Sequence, residues 1–251
     1  MIAMRVSVCM ATYNGGRYIK EQLDSILSQL SNEDEVIISD DGSTDNTINI
    51  IESYHDSRIK LFHHSDKPAR KRHYHILNVV TKNFENALNH ATGEYIFLSD
   101  QDDIWYPNKV SRTLSELAKY DFVISSYNKI DGEGRPYQGE GHGNSERFDK
   151  LLRKGFLVQW LTGPHFGCVC AMTKRFKDFA LPIPDYPIHD RYLGLLAKRM
   201  DVLHHVEEPL ILYRRHGNNN SAAENNNFLL KMWMRLKLLY YVVIRPYIKN
   251  Y

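Results

Sequence analysis

The sequence predicts an α/β protein with a mostly parallel central sheet flanked by helices, followed by a helical C-terminal tail. Three observations lead there. Short apolar runs alternate with stretches whose apolar residues recur at helical spacing. Several of the runs end in acids or glycines, as strands do when they deliver polar groups to the rim of an open sheet. The segment after Phe228 is apolar and basic, with a period that suits one helix.

In chain order, Val6–Ala11 reads as a buried strand closed by Thr12-Tyr13-Asn14-Gly15-Gly16, a tight turn. Ile19, Leu23, Ile26, Leu27 and Leu30 give a helix over about residues 17–30. Val36–Ser39 is a second strand. It ends in Asp40-Asp41 before Gly42-Ser43-Thr44-Asp45, and Ile48, Ile51 and Tyr54 supply the next helical face. Ile59–Phe62 completes a β-α-β-α-β run, which implies parallel strands. The basic stretch from Lys67 to His75 has no apolar period and reads as an exposed loop, either facing phosphates or simply solvated. A helix with Phe84, Ala87, Leu88 and Ala91 stops at Gly93.

Tyr95–Leu98 then forms a buried strand, and Ser99-Asp100-Gln101-Asp102-Asp103-Ile104-Trp105 follows. Three carboxylates within four residues repel one another unless a cation lies among them, and a hard divalent ion with oxygen ligands suits the set. The competing reading is a polar turn that caps the helix starting near Pro107. That helix carries Val110, Leu114 and Leu117, and Phe122–Ser126 is a further strand. Asp131–Asn144, rich in glycine and charge, reads as a mobile loop. Trp160–Gly163 and Cys168–Met172 read as short strands around Gly163-Pro164-His165-Phe166-Gly167. Pro182, Pro184 and Pro187 delay regular structure until His189-Asp190 opens a helix with Leu193, Leu196 and Ala197. Residues 202–213 read as two strand pieces about Pro209, and Arg214–Asn220 as a loop.

The bulk numbers exclude more than they select. The 251 residues suit one large domain or two small ones, and a net charge of +2 gives no reason to expect nucleic acid as a partner. Three cysteines without C-x-x-C spacing argue against a disulfide framework or a structural zinc site, and fit a reducing compartment. No window reaches the length of a membrane span and no signal-peptide stretch opens the chain, so the expectation is a cytoplasmic protein. The tail qualifies this. A helix from Phe228 to Pro246 would put Lys231, Arg235 and Arg245 in one polar arc. That fits peripheral attachment to the inner face of the cell membrane, and it equally fits a helix packed on the body or on a second subunit.

The blocks Val6–Gly15, Asp40–Asp45, Ser99–Trp105, His189-Asp190 and Tyr213–Asn218, in this order, resemble family 2 of the inverting glycosyltransferases, which have the GT-A nucleotide-sugar-binding fold. They look most like the bacterial branch containing rhamnosyltransferases of surface polysaccharide assembly, such as O-antigen or capsule. The resemblance covers about residues 6–220. It implies a GT-A domain over 1–220, with a donor half (1–105) and an acceptor half (106–220), and a separate tail over 221–251.

By that resemblance, Ala11 and Tyr13 line the base pocket and Asp40 accepts the imide N–H of uracil or thymine, with Asp100 and Gln101 also on the nucleotide. Asp100–Asp102 is the D-x-D element: Asp102 reaches a Mg2+ or Mn2+ ion, Asp100 lies between the ribose and the metal, and His216 is a further metal or diphosphate contact. Arg214 and Arg215 are candidates for clamping the diphosphate. Asp190 falls where the family keeps its base, though an Asp at a helix start is also an ordinary cap. Trp105, Gly163, His165, Gly167, Cys168 and His189 are candidates for the acceptor side, although an aromatic such as Trp105 is more often core or pocket wall than a sugar platform. The implied partners are a nucleoside-diphosphate sugar, either dTDP-rhamnose or a UDP-hexose, and a glycan acceptor carried on a lipid. The rivals are a sugar nucleotidyltransferase, which lacks support because no glycine-rich, lysine-bearing loop follows the first strand, and an inactive nucleotide-sensing or scaffolding subunit. One departure from the family pattern is the missing glycine ahead of Asn83-Phe84.

Overall fold

A computed structural model describes residues 5–64, 73–139, 145–185, 188–216, 228–249 and 251. The first strand, β1 (Val6–Thr12), lies between β2 (Glu35–Asp40) and β4 (Tyr95–Ser99), parallel to both. β3 (Ile59–His63) extends the parallel set beyond β2. β1, β2 and β4 are almost wholly buried, which is why their sequences are continuous apolar runs rather than alternating ones. On the other side of β4 follow β7 (Cys170–Thr173), antiparallel to it, then β6 (Phe122–Asp131), β8 (Leu203–Arg215) and the two-residue β5 (Ile104–Trp105). The eight strands run in the order β3-β2-β1-β4-β7-β6-β8-β5. The chain therefore reverses its direction of growth at β1, and a crevice for ligands opens at the C-terminal ends of β1 and β4.

Helices α1 (Ile19–Leu27), α2 (Thr47–Glu52), α3 (His73–His90), α4 (Lys109–Leu117) and α8 (His189–Arg199) fall where the sequence predicts helices. α3 begins earlier than expected, so His73 and His75 are helical, not loop; Lys67 and Arg70–Arg72 lie outside the described residues. α5 (Ser145–Leu152) and α7 (Lys174–Ala180) are additional. Of the glycine-rich loop, 131–139 is described and 140–144 is not.

Two strand expectations are corrected. Trp160–Gly163 belongs to helix α6 (Phe156–Thr162), which starts after Gly155 and is stopped by Gly163 at φ 58°, a left-handed conformation suited to glycine. A seven-residue apolar segment carries too little periodicity to separate helix from strand. Residues 203–215 form one strand, not two. Glu207 and Glu208 bulge out of register between the Ser125–Val206 and Ser126–Pro209 pairs, so Pro209 is tolerated. Arg214 and Arg215 are thus strand residues. The strand expected at Cys168 begins at Cys170, after a 3-10 turn.

The tail is helix α9 (Phe228–Ile248), which continues past Pro246. Leu238 and Val242 join the hydrophobic core, and the Trp160 indole N–H donates to the Arg235 carbonyl at 2.9 Å. Arg245 is buried, donating through Nε to the Tyr192 hydroxyl at 2.8 Å and through its other end to the Pro182 carbonyl. The expected polar arc is corrected here, because Arg245 points into the protein. Among the described residues no helix is long and apolar enough to cross a membrane.

Candidate active site

Register sets the rim of the crevice. Thr12 pairs with Asp40 and Met10 with Ser99, so β1, β2 and β4 end side by side. One side chain, not anticipated from sequence in this role, joins two of these ends. Gln101 Oε1 accepts from Thr12 Oγ1 at 2.6 Å and from the Tyr13 amide at 2.9 Å, and its Nε2 donates to the Tyr13 carbonyl. A Cβ at Gly15 would lie 2.3 Å from Gln101 Oε1, so any larger residue there would displace the Gln101 carboxamide. The turns after β1 and β2 are also linked, with the Asn14 amide donating to Ser43 Oγ and Asn14 Oδ1 accepting from the Thr44 amide. Asp40 is buried and accepts from the Gly42 and Ser43 amides, each at 2.8 Å, and from Ser43 Oγ. Its carboxylate has about four lone-pair sites, so it can accept one more donor. Ala11 is half-buried beside it and Tyr13 is exposed at the mouth.

The acids gather below. Burial raises the Asp100 pKa to about 7, reinforced by the negative charges of Asp102 and of Asp190 from α8. Burial also pushes Asp103 well above the usual carboxylate range, followed by the charges of Asp102 and Asp100. Across the turn, His216 Nε2 lies 2.8 Å from Asp102 Oδ2, and the His216 ring rests 4.8 Å from that of Tyr18. Asp190 sits in the first turn of α8, a favourable place for a negative charge, and its Oδ1 accepts from the Arg191 amide at 2.6 Å. Ile188 is the N-cap of that helix, and Asp190 meets one of the free first-turn amides from within the first turn, as a capping carboxylate does.

This donor set suits a hard divalent ion. Carboxylates are crowded together, and Asp103 Oδ2 is buried without a hydrogen-bond partner. Oxygen atoms of Asp100 and Asp103 and the thiol of Cys168 lie within 4.8 Å of one another. Burial pushes the Cys168 thiol well above its ordinary range, so it stays protonated and is a poor ligand for Mg2+ or Mn2+. Asp102 and His216, both expected from the sequence to be ligands, offer the other oxygen and nitrogen donors at the turn and lie 2.8 Å apart. Lys109 lies beneath, with Nζ 3.2 Å from the Cys168 carbonyl and 4.9 Å from the Trp105 ring centroid; burial lowers its pKa to about 8.

Four expected contacts are corrected by burial. Arg214 is 2 % exposed. Its amide donates to Asp103 Oδ1 at 2.9 Å, its Nε to the Asp102 carbonyl at 2.8 Å, and its far end to Glu21, over the Tyr18 ring. It therefore holds the turn that carries Asp102 rather than clamping a diphosphate. Arg215, the next strand residue, is half-buried. Trp105 is core, packed on Phe97, with its amide donating to Ser25 Oγ. His165 is buried against Gln159 Oε1 at 3.1 Å, and burial lowers its pKa to about 3, with Arg191 and Lys198 adding to the effect. His189 is buried and stacked on Phe84 at 4.2 Å. Of the remaining acceptor-side candidates, Gly163 ends α6, while Gly167 and Cys168 are buried in the turn behind Asp100. Tyr18 and Glu21, on and next to α1, complete the site. Nothing in their sequence surroundings marked them.

The acidic turn lies at the switch point of a mixed sheet, where open α/β folds bind their ligands. Comparison with known proteins agrees. The profile of glycosyl transferase family 2 matches residues 7–179, and the chain belongs to that family. It is 32% identical over 220 residues to the dTDP-rhamnosyl transferase RfbG of Shigella flexneri, covering 82% of this chain and 71% of RfbG, which supports the rhamnosyltransferase-like branch. It is 37% identical over 119 residues to the putative glycosyltransferase EpsE of Bacillus subtilis, covering 46% of this chain and 39% of EpsE. Among solved structures, S. aureus TarS 1-349 in complex with UDP-GlcNAc superposes with a TM-score of 0.70 at 18% identity, covering 99% of this chain and 68% of TarS 1-349. The mannosyltransferase PcManGT from Pyrobaculum calidifontis, in complex with GDP-Man and Mn2+, gives a TM-score of 0.60 at 19% identity, covering 98% and 65%. The fold is therefore GT-A-like.

Proposed function

We propose that this protein transfers a sugar, with inversion, from a nucleoside-diphosphate sugar to a hydroxyl of a growing bacterial surface glycan carried on a lipid. The observation that carries the reading is the meeting of Asp102 and His216 in the crowded acidic turn after β4, beside the Gln101 clamp. The likeness to RfbG favours dTDP-rhamnose as donor over a UDP-hexose. In this reading Ala11, Tyr13 and Asp40 form the base pocket. Asp102 and His216, with Asp100 behind them, would hold Mg2+ or Mn2+, which would neutralise the charge gathering on the diphosphate as it leaves. Arg215 takes the diphosphate role, since Arg214 is committed to the fold. Asp190, across the crevice, takes the proton of the acceptor hydroxyl as it attacks the sugar carbon.

The test is a thermal-shift panel of dTDP, UDP, GDP and CDP, each with Mn2+, with Mg2+ and with chelator. A ligand that binds only the folded state stabilises it by about 2.7 kcal/mol at 100 times its dissociation constant, enough to resolve. Metal-dependent stabilisation by a thymine or uracil nucleotide is the expected result. Absence of stabilisation by all four overturns the proposal.

A further inference from the structure

Most of the large apolar side chains exposed among the described residues lie on two neighbouring helices, α6 and α9. On α9, Leu229, Trp233, Leu236, Tyr240, Val243 and Tyr247 recur every three or four residues, which at about 100° per residue gathers them into one stripe. Leu238, Val242 and Arg245 recur in the same way on the opposite side, and these are buried against the body. The helix thus has two apolar faces, and packing uses one. The other stands in water, with Leu229 78%, Tyr240 61% and Tyr247 75% exposed. α6, tied to α9 by Trp160, adds exposed Leu157 and Leu161. An apolar surface of this extent marks a place of association.

The charge identifies the partner. Neither helix contains an acid; α9 carries half-buried Arg235 and Lys237 beyond its buried face, and exposed Lys154 precedes α6. Lys237 Nζ lies 4.4 Å from the Trp233 ring centroid, at the stripe itself. A second copy docked through the same face would set cation against cation with no carboxylate in either helix to answer it. An anionic lipid surface answers both features, with acyl chains for the stripe and negative headgroups for the lysines. Trp and Tyr, amphipathic side chains, are the aromatics that settle at that boundary.

We propose that the α6–α9 face is a membrane-docking surface for anionic lipid. Its evidence is independent of the catalytic reading; only its purpose rests on it. α6 ends at Gly163, and from there the chain runs into the 163–168 segment whose Cys168 lies beside Asp100. Docking through α6 would bring that side of the crevice to the surface where a lipid-carried acceptor resides.

The test is sedimentation of the full chain with vesicles of phosphatidylcholine alone or mixed with phosphatidylglycerol. Binding is expected only to the mixed vesicles, and weaker in high salt. A Leu236→Ser/Tyr240→Ser double variant should bind at least about tenfold more weakly at unchanged Tm. Lys237→Glu should weaken binding as well. Asp102→Asn should bind vesicles like the parent, so failure of donor chemistry and failure of docking are read separately. Recovery of the parent in the supernatant with both vesicle types overturns the inference. So does undiminished binding by the double variant, and so does a dimer in light scattering that the double variant dissolves.

Discussion

Asp102 Oδ2 and His216 Nε2 meet at 2.8 Å across 114 residues of sequence. One belongs to the turn after β4 and the other follows β8, so a turn from the middle of the chain and the end of its last strand close on one point. Asp102→Asn is expected to abolish metal-dependent stabilisation by the nucleotide. His216→Ala should raise the Mn2+ concentration needed for it by at least about tenfold. Titrating Mn2+ in the presence of saturating nucleotide reads both effects, and an unchanged titration for either variant removes that residue from the metal site.

The adjacent arginines should separate. Arg214→Lys loses the fork that reaches the Asp102 carbonyl and Glu21, and should lower stability by about 2 kcal/mol together with Mn2+ affinity. Arg215→Ala should cost less stability than Arg214→Lys and weaken the diphosphate nucleotide relative to the nucleoside. Urea unfolding and isothermal titration compare the two. Equal loss of stability would mean that both are structural.

Asp190→Asn should keep donor affinity and slow sugar transfer by about 100-fold or more, since an amide cannot accept the acceptor's proton. Single-turnover transfer with bound donor is the measurement. A normal rate would exclude Asp190 as the base.

Glu35 gives a pH dependence away from the site. Burial pushes its pKa up, but donors from Lys60, Ser7 and Thr92 outweigh burial and bring it from an ordinary 4.5 to about 2. Between these values the unfolded chain binds the proton more tightly than the folded one. The contribution, about 3 kcal/mol, is therefore fully present above pH 4.5 and lost as pH falls through about 2. Urea unfolding of the parent and of Glu35→Gln should differ near neutrality and converge in strong acid. A constant difference would refute the assignment.

The buried parallel strands and the acids that end them were legible because a strand covered on both faces is written as an unbroken apolar run, as in Val36–Ser39. Direction was not legible. Arg214 and Arg215 read alike in a loop, whereas in a strand neighbours point to opposite faces, so recognising β8 would have sent one inward. Pro209 concealed that strand because the bulge accommodating it has no sequence mark of its own. His165, His189 and Trp105 looked chemical by type; which way a side chain on a short helix or turn faces depends on packing partners far away in sequence. Gln101 sat inside the acidic block, but its engagement with Thr12 and Tyr13 is a contact between distant segments.

That engagement has an engineering corollary. The turn after β1 and the turn that presents the carboxylates are joined through one amide, so neither can be transplanted alone. A chimera that imports another relative's Thr12–Gly16 segment to change nucleotide preference must also import whatever that relative keeps at position 101, and glycine at 15 must travel with it.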